Sequence, residues 1–238
     1  MIKEYEGNFK NNYDIDDLIK IVAILRGPNG CPWDKIQTHQ TVRDGIIEEA
    51  YEAADAIDNQ DAVSLKEELG DLLLQLVFHS QIGQEAGEFN FSDICDGVCR
   101  KLISRHPHVF AGAKANNAQE VTDSWDKLKR QEKGQTSVTQ TLISVPKAMP
   151  ALMRAGKVQS RAAKAAEPID IKCAVDKLGD SFDQLKHAAG QNDSDLSENI
   201  GDVLFSAVNV SRISKVNAEN ALAKSTDQFI ENFSKSEA

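Results

Sequence analysis

Apolar residues recur along this chain at three- and four-residue intervals, the period of a helix with one buried face. Residues 14–26 (DIDDLIKIVAILR) put Ile15, Leu18, Ile19, Val22 and Leu25 on one stripe. Residues 42–58 do the same with Ile46, Ile47, Ala50, Ala53, Ala54 and Ile57. The strongest stripe runs through 62–84, with Leu65, Leu69, Leu72, Leu73, Leu76 and Val77. Further helices are predicted at 91–105, opened by Ser92 as cap, and at 118–133 around Trp125. GPNGCPWD (27–34) reads as a turn. HPHVF ends the helix before it, because Pro107 disfavours helical backbone at His106. Residues 134–147 (GQTSVTQTLISVPK) lose charge and gain Ser and Thr, which reads as a linker. Helices resume at about 150–166, 172–188, 195–215 and 217–233. The fold class expected is all-α.

The chain also repeats itself. EELGDLLLQLV (67–77) matches ENIGDVLFSAV (198–208) at an offset of 131, sharing the Gly-Asp pair and the apolar positions after it. An offset of 132 lays IIEEAYEA (46–53) over LGDSFDQL (178–185). The expected organisation is two tandem helical-bundle units, 1–134 and 149–238, joined by a linker at 135–148.

Composition narrows the function classes. The 238 residues carry 27 Lys and Arg against 37 Asp and Glu, a formal charge of −10. Binding to nucleic-acid backbones needs a cationic surface, so that role is disfavoured. No apolar run is long enough to span a membrane. The acidic, polar start MIKEYEGNFKNNYDIDD does not resemble a secretion signal, so a cytoplasmic location is expected. Cys31, Cys95, Cys99 and Cys173 are then expected as reduced thiols. Cys95 and Cys99, near His106 and His108, lack the CxxC spacing of a zinc pair.

The candidate chemistry lies in acidic residues. At about 100° per residue, Glu48, Glu49 and Glu52 share one side of their helix. Glu68 and Asp71, a turn apart, flank the leucine stripe of the next. Antiparallel packing of the two helices would bring five carboxylates together. Most acidic helix faces are simply solvated. Here the positions four residues after Glu48, Glu49 and Glu52 hold Glu52, Ala53 and Ala56, so no Lys or Arg offsets the charge. Carboxylates crowded beside an apolar stripe repel one another, and a divalent cation resolves the conflict. Oxygen-only ligands favour Mg²⁺, with Mn²⁺ the alternative, over zinc. Such a site suits metal-assisted hydrolysis of a phosphoanhydride. No GxxxxGK[ST] loop is present to cradle phosphates in its place.

EExxE at 48–52 followed by ExxD at 68–71 resembles the signature of the MazG nucleoside triphosphate pyrophosphohydrolases. GCPWDKIQTHQT (30–41), GDLLLQLVFHSQI (70–82), RKLISRHPHVF (100–110) and VPKAMPALMRAGKVQ (145–159) extend the resemblance over nearly the whole chain. The resemblance implies the all-α NTP pyrophosphatase fold, two tandem units, a homodimer, and Mg²⁺-dependent cleavage of nucleoside triphosphates to monophosphate and pyrophosphate. It assigns Glu48, Glu49, Glu52, Glu68 and Asp71 to metal binding and catalysis, with Glu48 and Glu49 catalytic and Glu49, Glu52, Glu68 and Asp71 as ligands. Lys101 and Arg105 match the cations that contact the triphosphate. Trp33 and Arg26 flank a loop placed to cover a nucleobase.

The second half departs from this pattern. EExxE becomes Asp180, Ser181 and Gln184; Glu68 becomes Asn199; only Asp202 survives. Gln228 and Asn232 replace the two cations, and EPIDI (167–171) lacks the usual Gly and aromatic residues. The first unit is therefore expected to catalyse and the second to be structural or dimer-forming. Two alternatives remain open at this point: a related pyrophosphohydrolase for dUTP-like or phosphoribosyl-nucleotide substrates, and a non-catalytic helical interaction protein with a structural divalent ion.

Overall fold

A computed structural model describes residues 10–115, 117–191 and 195–237. Among the described residues it is helical with no strand, so the fold is all-α. The first unit runs to Asn116. It contains α1 (Ile15–Arg26), α2 (Pro32–Lys35), α3 (Arg43–Asp58), α4 (Ala62–Ala86), α5 (Phe91–Arg105) and α6 (Pro107–Phe110). The second starts at Asn117 and contains α7 (Ala118–Glu132), α8 (Val138–Ile143), α9 (Ala151–Ala163), α10 (Ile171–Gln191), α11 (Leu196–Ile213) and α12 (Ala218–Glu237).

Local chemistry sets the helix ends. Asp14 and Asp17 form a reciprocal capping box at the start of α1. At α5 the cap is Asn90, boxed with Asp93, rather than Ser92, which sits inside the first turn. Asp61 caps α4 through the backbone amides of Val63 and Ser64. The turn from α3 to α4 closes with Asp61 N–H on Ala56 C=O and Gln60 N–H on Ile57 C=O, with Gln60 left-handed at φ 57°. The same bond pattern ends α11, with Lys215 at φ 58°.

The core of the first unit is Val22 of α1 against Val77, Phe78 and Ile82 of α4. Phe89 packs so closely on α4 that a Cβ on Gly83 would lie 2.7 Å from its ring. The loop after α1 also winds tightly. A Cβ on Gly30 would meet the Leu25 carbonyl oxygen at 2.1 Å, so only glycine fits there.

Two segments differ from their sequence reading. HPHVF does stop α5, but Pro107 then opens the single turn α6, taking the position where its missing N–H costs nothing. The supposed linker carries α8, started by a Ser137–Gln140 capping box. Thr141 and Val145 are buried, and Arg161 of α9 donates to the Thr141 carbonyl and the Ser144 hydroxyl. Asp126 of α7 pairs with Lys164, the C-cap of α9. Residues 117–148 thus belong to the second unit, and the division falls at 116/117 rather than at 134–147. Low charge and many hydroxyls marked a capped, packed turn rather than a free tether.

His39, in the loop before α3, stacks on His79 of α4 with Nδ1 to Nδ1 at 2.7 Å. One ring must donate and the other accept, so both cannot be cationic without breaking the contact. Burial, and then the neighbouring His39, hold His79 below its ordinary pKa. The unfolded chain therefore binds the extra proton first, and this contribution is lost as pH falls below about 6.5. Glu49 and Glu68 act in the opposite sense, so the comparison must be between variants. Between pH 7.5 and 5.5 the wild-type melting temperature should fall further than that of His79→Gln; equal slopes would remove the histidine pair as a stabilising contact.

Candidate active site

Asn59, Gln60 and Asp61 alone join α3 to α4, so the two helices return antiparallel. Small residues line their seam. Ala53 and Ala56 are buried, and a Cβ on Gly45 would lie 2.7 Å from the Gln75 amide. Glu49 sits on this stripe, a turn from Gly45 and a turn from Ala53. Glu68 and Asp71 face it from α4. Carboxylate oxygens of Glu49, Glu68 and Asp71, all partly buried, lie within 4.8 Å of one another.

Crowding shows in the electrostatics. Partial desolvation, then the charges of Asp71, Glu52, Glu68 and Glu48, raise the Glu49 pKa above its ordinary value. Glu68 is raised by partial desolvation, then by Glu52, Glu67 and Asp71, and it shares a hydrogen bond with Glu52. Each of these carboxyls holds a proton more readily than a free glutamate, because ionising it puts charge where water is partly excluded and other charges stand near. Three oxygen donors without nitrogen or sulfur fit a hard divalent cation and do not fit a thiolate metal. Beside them opens a cleft of about 500 Å³ lined by Tyr51, Glu52, Asp55, Asn59, Ser64 and Glu68.

The sequence-derived residues fall into groups. Glu49, Glu68 and Asp71 come together; Glu52 adjoins Glu68 at the cleft; Glu48 is exposed, one position along from Glu49. Lys101 is exposed and Arg105 half-buried in the last two turns of α5. Trp33 stands 62% exposed on α2.

Arg26 departs from its expected place beside a nucleobase. Its guanidinium is turned inward. Nε and Nη2 donate to the Glu85 carboxylate at 3.0 and 2.8 Å, and Nη1 donates to the carbonyls of Asp34 and Gln37. It also lies over the Phe78 ring at 5.1 Å. Every guanidinium nitrogen is engaged, so Arg26 fastens the 31–37 loop to α4. Glu85 lies 59 residues away, and nothing in the spacing announces the pair.

Sequence reasoning also missed Tyr51 and Ser64 as cleft residues. Tyr51 stands between Glu49 and Glu52, and Ser64 follows the Asp61 cap; a helical wheel of the hairpin would have placed both near the acids.

The second unit repeats the hairpin with fewer carboxylates, since of the five positions only Asp180 and Asp202 remain acidic. Asp180, Gln184, Ala188 and Asn199 line a cleft there, at the positions that match Glu48, Glu52, Ala56 and Glu68. Ser181, matching Glu49, is hydrogen-bonded to Ser206, matching Gln75, at 3.0 Å. A neutral hydroxyl pair occupies the seam that carboxylates occupy in the first unit.

Comparison with known proteins agrees with this geometry. Residues 37–110, which contain α3, α4 and α5, match the model of the MazG nucleotide pyrophosphohydrolase domain. The chain is 42% identical to a nucleoside triphosphate pyrophosphohydrolase of Escherichia coli K12, over 92% of this chain and 85% of that protein. It is 39% identical to the nucleoside triphosphate pyrophosphohydrolase/pyrophosphatase MazG of Thermotoga maritima, over 93% and 85%. A nucleoside triphosphate pyrophosphohydrolase of Mycobacterium tuberculosis is 40% identical over 58% of this chain and 42% of its own length. With identity of this level along almost its full length, and with the paired carboxylates standing where two helices meet, the chain belongs to the MazG family of nucleotide pyrophosphohydrolases.

Proposed function

We propose that the chain hydrolyses nucleoside triphosphates to nucleoside monophosphate and pyrophosphate, with Mg²⁺, and that the first unit does the chemistry. The observation that supports this most is the convergence of Glu49, Glu68 and Asp71 from two helices onto one point. A divalent cation held there supplies neutralisation of phosphate charge and a more acidic bound water. The rest falls to the chain's own residues. Glu49, Glu68 and Asp71 hold the ion, and Glu52, beside Glu68, completes or orients the ligand set. Glu48, exposed next to Glu49, accepts the proton from the attacking water. That water's oxygen bonds to one phosphorus of the α–β anhydride as its bond to the bridging oxygen breaks, the electron pair stays on that oxygen, and the products are monophosphate and pyrophosphate. Lys101 and Arg105 contact the triphosphate, and Trp33 covers the base. Arg26 acts at one remove, by holding the Trp33 loop.

A second copy of the chain is part of this reading. The leucine stripe of α4 is not spent inside one chain: Leu69 is 53% exposed and Leu76 47% exposed. Val98 and Leu102 of α5, and Ile47 and Ile57 of α3, are likewise exposed. Apolar faces of this extent on neighbouring helices suit a partner. We place the protein in the cytoplasm, where its four unpaired cysteines stay reduced.

Three outcomes are expected. With Mg²⁺, ATP, dGTP or dUTP should yield monophosphate and pyrophosphate by chromatography, and EDTA should stop it. Glu52→Gln and Glu68→Gln should each lower turnover at least a hundredfold, whereas Asp202→Asn in the second unit should leave it intact. Turnover that survives Glu68→Gln, or vanishes with Asp202→Asn in folded protein, places the chemistry elsewhere.

Mg²⁺ should also raise the melting temperature at neutral pH, because it relieves repulsion present only in the folded state. A folded-state pKa above the unfolded value means stability is lost as pH rises through that range, so the rise should be larger at pH 8 than at pH 5. Asp71→Asn should abolish the Mg²⁺ effect; an undiminished shift in that variant would mean the ion binds at another site.

Light scattering should give the mass of a dimer, and Leu73→Glu should reduce it to that of one chain. A wild-type mass of one chain removes the dimer from the proposal.

A further inference from the structure

A cavity of about 50 Å³ opens where α7, α8 and α9 meet, and it shares no residue with the acidic seam or with the α10–α11 hairpin. Lys129, Arg130, Lys133, Arg161 and Lys164 line it, and Asp126 is the acidic residue of its wall. In a chain of net charge −10 this is a local reversal of sign. Asp126 is already paired with Lys164. Arg161 is half-buried, and its Nη1 donates to the Thr141 carbonyl and to Ser144 Oγ. Among the described residues, its Nε and Nη2 make no hydrogen bond, and neither Arg130 nor Lys133 pairs with a carboxylate.

The ordinary reading of such a cluster is that basic residues complement helix C-termini. Arg130 is in the last turn of α7 and Lys133 is its C-cap, while Arg161 is in the last turn of α9 and Lys164 is its C-cap. That reading accounts for part of the charge. The two helix ends together carry about one unit of negative charge. Asp126 adds another. Even with Lys129 left out, four cations stand against these two units, so about two positive charges are left over. Arg130 and Arg161 are both half-buried, where water screens such an excess less well.

We propose that this cavity binds a single phosphate group without metal. Its volume is far below the roughly 300–1,000 Å³ of pockets for organic ligands, which excludes a nucleoside and admits one tetrahedral oxyanion. A phosphate group brings about −1.5 to −2 charge at neutral pH, the size of the excess. Nε and Nη2 form the edge of a guanidinium that grips two oxygens at once, and that edge of Arg161 is unengaged. Arg26 grips Glu85 with the same edge in the first unit. A phosphate held here ties α7 to α9 beside the segment that carries α8. Orthophosphate and one end of a pyrophosphate share this chemistry. The site does not rest on the reaction proposed for the first unit.

The test is calorimetric titration of the full chain with orthophosphate and with pyrophosphate, each in EDTA and about 0.15 M NaCl, where loose surface attraction is screened. At least one should bind saturably and raise the melting temperature. Tighter binding of orthophosphate would identify the free anion as the ligand, and tighter binding of pyrophosphate a longer anion with one end in the cavity. Arg130→Gln and Lys133→Gln should each weaken binding about tenfold. Asp126→Asn, which removes the opposing carboxylate, should tighten it, a gain that a damaged fold does not give. Lys101→Gln and Arg105→Gln in the first unit should leave it unchanged. If Arg130→Gln fails to fold by circular dichroism, Lys133→Gln, at an exposed position, decides in its place. Absence of binding for both anions, binding undiminished in Lys133→Gln, no gain in Asp126→Asn, or binding lost in Lys101→Gln or Arg105→Gln overturns the site. Binding in EDTA by a chain that fails to hydrolyse triphosphates would leave this site standing and the catalytic reading refuted.

Discussion

The close approach of α3 and α4 is the constraint on which the site depends. Gly45 against Gln75, and the buried Ala53 and Ala56, let the two backbones come near enough for carboxylates on opposite helices to meet. A short, hydrogen-bonded turn fixes the register, so Glu49 has no choice of partner. Like charges held this close repel one another, and the repulsion grows where water is partly excluded. The raised pKa values of Glu49 and Glu68 are the same conflict seen through protons. Protonation relieves it at low pH, and a divalent cation relieves it at neutral pH. The core of Val22, Val77, Phe78 and Ile82 joins α4 to α1, and the seam of Gly45, Ala53 and Ala56 sets α3 against α4, so the carboxylates are kept together by packing rather than by any attraction of their own.

The loop over residues 27–42 is the second fixed part. Gly30 permits its tight start, Arg26 and Glu85 anchor its middle, and His39 on His79 holds its end. Each anchor reaches back to α1 or α4, so the loop that carries Trp33 inherits the geometry of the acidic hairpin. Trp33 itself is left exposed on a backbone that these anchors hold.

Much of this was legible in the chain. The 3.6-residue stripes gave helix after helix to within a few residues, and EExxE with ExxD identified the hairpin that carries the acids. What the stripes did not show is which apolar face is used inside one chain. The α3 stripe in sequence ran through Ile46, Ile47, Ala50, Ala53, Ala54 and Ile57, of which Ala53 does line the seam, beside Ala56 and Glu49, while Ile57 is 58% exposed. A helix with two apolar faces has no unique inward side until its neighbours are known. Arg26 failed for a related reason. A cation beside a Trp loop reads as a ligand contact, but a carboxylate 59 residues away claims it. The segment 135–148 misled because capping boxes use the same Ser, Thr and Gln that loosen a linker.

The second unit shows what the hairpin becomes once some of the charge is removed. Ser181 and Ser206 satisfy each other across the seam, where Glu49 stands among other carboxylates in the first unit. The packing positions persist, with Val208 buried at the place that matches Val77. The change from Glu49 and Glu68 to Ser181 and Asn199 therefore removes two of the charges that crowd the first unit. That asymmetry follows from one principle. Crowded carboxylates are a load placed on a packed helical pair, and a duplicated pair can keep most of that load in one copy while the other keeps the shape.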